Sequence, residues 1–214
     1  LPATSQQIGD RIKSLQAQVN PHFFFNAINT VSALIRVDSE QARRLLIQLS
    51  NFFRANLQGA RTNLIPLMKE LMQVEAYRSL EQARFPDRYQ VTIAVEEGLE
   101  EVLLPPFLIQ ILLENAFKHA FGSRKTDNRV WIDVRSSPDG VFISVRDNGE
   151  GIDTKRLEKL GKEAVPSLEG TGSALDNLNK RLTSLFGESA KLHFVSSPTG
   201  TTVHCTVPYQ ERQG

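Results

Sequence analysis

At 214 residues the chain is long enough for one large domain or two modest ones, each with a real core. Hydrophobic residues at 40% and charged residues at 23% are ordinary for a soluble globular protein and exclude disordered and fibrous classes. With 25 basic against 24 acidic residues the formal charge is +1, which gives no electrostatic ground for binding nucleic acid or a membrane surface.

Cys205 is the only cysteine, so an intrachain disulfide is excluded and a reducing compartment is expected. No apolar run approaches the ~20 residues that span a bilayer, and no signal peptide is present. The chain begins at Leu1 rather than Met and reads as a fragment or a processed product, with a cytoplasmic location expected for it.

The first half is helical. Ile8, Ile12, Leu15 and Val19 follow heptad spacing, as do Phe24, Ile28, Val31 and Ile35 after Pro21. Pro21 removes a backbone donor and disfavours helical geometry at Asn20, so a kink or a helix start is expected there. At ~100° per residue, His22, Asn26 and Asn29 fall opposite the second stripe, so His22 is expected to point away from the packed seam. A second helix is expected from Ser39 to about Gln58, with Ser39 as its cap and a wide apolar face from Ala42 to Leu57. The two make a hairpin whose apolar faces exceed what one chain covers, and dimerisation into a four-helix bundle would supply partners. Pro66 opens a third helix to about Phe85, with Leu67, Leu71 and Val74 on its stripe.

From Arg88 onward the period changes to two. Tyr89 to Val95 alternates as a strand does. Pro105-Pro106 leads into a helix to about Phe121 with Ile109, Leu112, Leu113, Ala116, Phe117 and Ala120 on one face. Glu114, Asn115 and Lys118 share the other side, with His119 at its border. Such a cluster alone is an ordinary solvated face with a Glu-to-Lys pair. Strands at Val130 to Ser136 and Val141 to Arg146 follow, and the second runs into Asp147-Asn148-Gly149-Glu150-Gly151. A carboxylate at a strand end accepts from an exocyclic amine, and glycines let backbone approach a planar base. Residues 153 to 169 read as a mobile loop. Gly170-Thr171-Gly172-Ser173 then enters a helix bearing Leu175, Leu178, Leu182 and Leu185, a glycine-rich helix start suited to phosphate. Gly187 ends that helix, and a final hairpin spans Lys191 to Val207 with His193 and His204 as structural residues. The elements predict helices on one face of a mixed sheet. The glycine spacing fits neither a Walker loop nor a Rossmann fingerprint.

Four motifs then agree in order. Asn20-Pro21-His22-Phe23-Phe24-Phe25-Asn26 resembles the phosphoacceptor signature of LytS-type sensor histidine kinases, and Glu114-Asn115-Ala116-Phe117-Lys118-His119 resembles their Glu-Asn-Ala-x-Lys-His segment. Asp147 to Gly151 and Gly170-Thr171-Gly172 resemble the remaining nucleotide boxes of the wider GHKL ATPase group, and Asn177, Arg181 and Leu182 match the helix that follows. The resemblance implies an α+β protein. Residues 1–62 would form the dimerising phosphotransfer helices, and 63–214 a Bergerat-type α/β sandwich that binds ATP. It makes His22 the phosphoacceptor, with Asn26 and Glu114 as catalytic participants. Asn115 would hold Mg²⁺, and Asp147 would read the adenine amine beside Gly149 and Gly151. Lys118, His119, Gly170, Thr171 and Gly172 would complete the ATP site under a lid at 153 to 169. It further implies a homodimer, a LytTR-type response regulator as phosphoryl recipient, and a parent anchored in the bacterial plasma membrane.

Two departures stand out. Phe25 replaces the usual Leu, and Ser173-Ala174 replaces the usual apolar-Gly pair. A methyl at Ala174 would hinder a positive φ or close phosphate approach, which leaves a rival reading of an ATP-binding interaction module with weak or no turnover. A GHKL serine kinase or conformational ATPase is a further rival, but it leaves the Pro21-His22 signature unused.

Overall fold

The computed structural model describes residues 21–59, 62–122, 126–152 and 171–211. The seam from Ile8 to Val19, Asn20, Gly170 and the expected lid at 153 to 169 lie outside the described residues. So do the side chains of His22, Thr171 and Gly172, and with them the expected direction of the His22 imidazole.

A hairpin of helices α1, Pro21–Leu34, and α2, Ser39–Gly59, opens the described chain. The two run antiparallel, since Phe23 near the start of α1 meets Phe52 near the end of α2 at 5.4 Å between ring centroids. The cap of α2 is Asp38 rather than Ser39. Its Oδ1 accepts the Gln41 N–H at 2.9 Å, and a carboxylate adds favourable charge at the positive helix end.

The phase of α1 also differs from expectation. Its buried positions are Phe23, Ala27 and Val31, whereas Phe24 is 36%, Phe25 64% and Ile35 58% exposed. A shift of one residue rotates the face by ~100°, so α1 carries two apolar edges. Spacing alone does not say which of them the same chain covers.

After the hairpin, β1 (Ile65–Pro66) pairs antiparallel with β3 (Leu103–Leu104) in a small two-stranded sheet that the sequence reading missed. Helix α3, Leu67–Arg84, follows β1 directly. A five-stranded sheet then forms from β2 (Tyr89–Val95), β4 (Asn128–Ser137), β5 (Gly140–Asp147), β6 (His193–Ser197) and β7 (Gly200–Val207). Its order is β2-β4-β5-β7-β6, with β2 parallel to β4 and every other pair antiparallel. Helices α4, Leu108–His119, and α5, Thr171–Phe186, cover one face.

Strand alternation sets this sidedness. Val130, Ile132 and Val134 on β4, Val141, Ile143 and Val145 on β5, and Val203, Cys205 and Val207 on β7 are buried toward the helices. Burial pushes the Cys205 thiol up to about 12, so it acts as an inert packing residue. On the opposite face the Arg146 guanidinium lies 4.2 Å from the Trp131 ring centroid, and His193 stacks on His204 at 5.3 Å. The mixed sandwich with helices on one face agrees with the sequence expectation.

Helix α3 packs against both the hairpin and α4. The layers therefore run hairpin, α3, α4 with α5, then sheet. Alongside Leu67, Val74, Tyr77 and Leu80, the buried face of α3 carries Glu70, Gln73 and Glu81.

Candidate active site

Helix α4 is aimed by a carboxylate from another helix. Glu70 is fully buried, and its two oxygens accept the N–H groups of Phe107 at 2.8 Å, Ile109 at 3.0 Å and Gln110 at 3.1 Å. These are first-turn donors that have no partner within their own helix. Phe107 stands at φ +70, a left-handed conformation costly for a residue with a β-carbon, and the Glu70 bond pins it there. Burial raises the Glu70 carboxyl from 4.5 to about 7, while the three N–H donors and Arg181 pull it back down. Nothing in the period of α3 marks Glu70 as special, and the sequence reading passed over it.

Arg181 on α5 completes this junction. Its Nη1 donates to the Pro106 carbonyl at 3.3 Å, and its Nη2 donates to the Thr62 and Asn63 carbonyls at 2.9 and 3.3 Å. Helix α5 is thereby tied both to the start of α4 and to the linker leaving the hairpin.

Along α4, Glu114, Asn115, Lys118 and His119 are half-buried, so the side opposite the sheet is no open solvated face. Glu114 accepts from Gln110 Nε2 at 2.9 Å. Burial first, and then the neighbouring Glu81, raise its carboxyl above the usual range, while the Gln110 bond and Lys118 oppose this. Glu114 and Glu81 both act on buried Tyr77, whose phenol is raised by burial and by these two charges. Glu114 thus stands at the α3 side of the site.

The end of α4 meets the loop after β5. The Glu150 N–H donates to the Ala120 carbonyl at 2.9 Å, and a Cβ placed on Gly149 would overlap the Ala120 carbonyl and methyl. Only glycine permits this approach. Gly149→Ala is expected to cost about 1–3 kcal/mol through overpacking, visible as a lower thermal midpoint. Gly151 stands at φ +76, and a Cβ placed there would overlap the Ser197 carbonyl.

Asp147 ends β5 almost fully buried, and its Oδ1 accepts from Gly149 N at 2.8 Å and Thr201 N at 3.1 Å. Asn148 ties the same loop to β4, accepting from Arg129 N at 2.8 Å and donating from Nδ2 to the Asp127 carbonyl at 2.9 Å. Ile152 N donates to Ser196 Oγ at 2.7 Å. The loop is therefore held from three sides, and Asp147 is an acceptor fixed in place before any ligand arrives.

Of the expected site residues, Lys118 and His119 directly precede the Ala120 that meets the Asp147 to Gly151 loop, and Asn115 lies one turn earlier on the same helix. The backbone of Thr171 and Gly172 forms the first turn of α5, whose Leu175, Leu178 and Leu182 are buried in the common core. Ala174 lies inside that helix and is not among the residues at positive φ, so its methyl meets no conformational barrier. Asn26 lies one turn after His22 in the hairpin layer, where its carbonyl accepts from Thr30 Oγ1 at 3.0 Å.

Among the described residues no group of three or more His, Cys, Asp or Glu side chains is placed to hold a metal ion. Mg²⁺ needs no such cluster, since it binds through one or two protein oxygens and completes its shell with phosphates and water. The Asn115 carboxamide offers one such oxygen.

Comparison with known proteins bears directly on this geometry. Residues 10–89 match the family described as histidine kinase, and residues 106–211 match the histidine kinase-, DNA gyrase B- and HSP90-like ATPases. The sensor protein LytS of Staphylococcus epidermidis is 59% identical over 199 residues, covering 93% of this chain and 34% of that protein. The sensor histidine kinase/phosphatase LytS of Staphylococcus aureus is 57% identical over 203 residues, covering 94% of this chain and 35% of that protein. The chain thus spans about a third of the length of these relatives. In fold it resembles the histidine kinase domain of a blue-light activated kinase from Erythrobacter litoralis, with TM-score 0.52, 18% identity, and 88% of this chain and 96% of that one covered. It also resembles the catalytic domain of the histidine kinase ThkA, with TM-score 0.54, 16% identity, and coverage of 68% and 96%. With both family models in this order and relatives 57–59% identical across nearly its whole length, the chain belongs to the LytS-type sensor histidine kinases.

Proposed function

We propose that this chain is the phosphotransfer and ATP-binding part of a sensor histidine kinase, and that it moves the γ-phosphoryl group of ATP onto His22. The observation that carries the reading is the junction of α4 with the Asp147 to Gly151 loop. It sets the Asn115 and Lys118 helix against a preformed acceptor for an adenine amine. Asp147 would read that amine, Gly149 and Gly151 would flank the base, and Lys118, His119 and the Gly170-Thr171-Gly172 turn would face the phosphates. Residues 1–62 would serve as the acceptor hairpin and 63–214 as the ATP domain.

In the transfer step, the lone pair of one His22 ring nitrogen forms the N–P bond. The bond from the γ-phosphorus to the β,γ-bridging oxygen breaks, and its electron pair leaves with ADP. The other ring nitrogen releases its proton to water. A neutral imidazole is already nucleophilic, which makes a dedicated base less necessary. Mg²⁺ held by Asn115 would supply charge neutralisation at the phosphates. The protein's own share is alignment and fixed charge, which carry most of phosphoryl-transfer catalysis.

The outward edge of the hairpin supports a dimer. Leu46 and Ile47 on α2 are 50% and 48% exposed, Phe25 and Ile35 on α1 are exposed as well, and a second copy would cover such apolar surface. The same reading gives a response regulator of LytTR type as recipient and a membrane-anchored parent. No described helix is itself long and apolar enough to cross a membrane.

The test is incubation with ATP labelled at the γ-phosphate. An acid-labile, alkali-stable label is expected on the wild type and none on His22→Gln. Label persisting in His22→Gln would remove the assignment, and an acid-stable label would point to a serine kinase.

A further inference from the structure

One feature of the core belongs to neither the nucleotide loop nor the phosphoacceptor signature. A run of aromatic rings crosses the layers from the hairpin to the sheet. Phe23, the residue directly after His22, lies 4.9 Å from Tyr77 on α3. Tyr77 stacks on Phe117 of α4 at 5.9 Å and 22°. Phe117 in turn stacks on Tyr89 of β2 at 4.3 Å and 16°. Phe23, Tyr77 and Phe117 are 7%, 4% and 7% exposed, so the contacts are dry.

The placement matters because of what lies beside each ring. Phe23 shares the first turn of α1 with His22. Phe117 stands between Asn115 and Lys118 in α4. Tyr77 thus places one ring against both the acceptor helix and the helix assigned to Mg²⁺ and phosphate. Aromatic side chains have few rotamers and prefer defined offset or tilted geometries. A ring wedged between two others fixes a distance better than an aliphatic contact does.

We propose that Tyr77 is a positioning residue for phosphoryl transfer: its ring, held between Phe23 and Phe117, sets the spacing and orientation of the His22 helix relative to the Asn115 and Lys118 helix. This rests on the kinase reading above. Tyr77 acts through its ring neighbours rather than on the reacting atoms, and Phe52 of α2 backs it at 6.2 Å between centroids. The carboxylates of Glu114 and Glu81 both act electrostatically on its phenol.

Three variants test it in the full chain, with ATP affinity measured by calorimetry beside the initial rate of His22 labelling. Tyr77→Ala is expected to keep the ATP dissociation constant within about twofold while the labelling rate falls about 10- to 100-fold, the scale of an ångström-level misplacement of reactants. Tyr77→Phe keeps the stack and is expected to stay within about threefold of the wild-type rate. Tyr77→Leu fills most of the volume without a stacking ring. It is expected to follow Ala, which keeps the test informative where Ala prevents folding.

A Tyr77→Leu rate equal to wild type would overturn the proposal, and so would an increased rate, which would make the stack an inhibitory contact. Tyr77→Phe as slow as Ala would assign the effect to the hydroxyl and overturn the stacking argument. ATP affinity lost in step with rate would reduce Tyr77 to a core residue. Wild-type chain that takes no label on His22 would instead count against the kinase reading itself, independently of the variants.

Discussion

Glu70→Ala should destabilise the protein by about 3–5 kcal/mol, because it strands three buried first-turn N–H groups that lose about 1–3 kcal/mol each when unpaired, less what water entering the site recovers. Phe107 would also be released from its left-handed conformation, so the start of α4 should fray. In a chain of this size each kcal/mol lowers the thermal midpoint by about 2–4 °C, so a loss of roughly 10 °C is expected by calorimetry. A midpoint within 2 °C or so of wild type would show that these donors find other partners.

The same residue gives a pH dependence with a definite sign. The Glu70 carboxyl is 4.5 unfolded and about 7 folded, so the folded state favours the protonated form. Its contribution to stability is fully present below pH 4.5 and is lost as pH rises through about 7. At 1.36 kcal/mol per unit, the loss is about 3 kcal/mol. Glu114, raised in the same direction, adds to it. Glu40 and Glu96 are shifted the opposite way but are fully exposed and carry little weight. Stability measured by denaturant titration should therefore fall between about pH 4.5 and 7.5, and Glu70→Gln should remove most of that slope. An unchanged slope in Glu70→Gln would remove Glu70 as its source.

Asp147→Asn should weaken ATP binding by about 10- to 150-fold while leaving stability within about 1 kcal/mol of wild type. The asymmetry follows from geometry. Oδ1 is committed to Gly149 N and Thr201 N, and an amide oxygen accepts both equally well. The second position changes from a charged acceptor to an N–H₂ donor, which faces the adenine amine donor to donor. A hydrogen bond to a charged group contributes ~1.5–3 kcal/mol, and that range sets the fold-change. Calorimetric titration with ATP checks it. Unchanged affinity would move adenine recognition elsewhere, and a parallel loss of stability would make Asp147 a loop clamp alone.

Residues near one another in sequence were the easiest to read. Period-two alternation located β2, β4, β5 and β7, and Gly187 ended α5 as expected, with its N–H donating to the Thr183 carbonyl at 2.9 Å. Alternation works because a strand's two faces meet different surroundings at every step. The hairpin was less legible. In α1 two apolar edges lie about one residue apart, and choosing between them depends on where α2 and α3 sit. The cap of α2 was misplaced by one residue because Asp38 and Ser39 are both good caps.

The chain order of a histidine ahead of three nucleotide boxes was determined by the sequence alone, because each box is a short run whose chemistry lies in adjacent residues. Tertiary structure alone decided what holds those runs together. Glu70 reaches α4 across 37 to 40 positions, Arg181 reaches the linker across 118 and 119, and Tyr77 joins rings from α1 and α4. All three lie on helices whose period is ordinary. Their function depends on which distant backbone or ring they meet, and packing settles that.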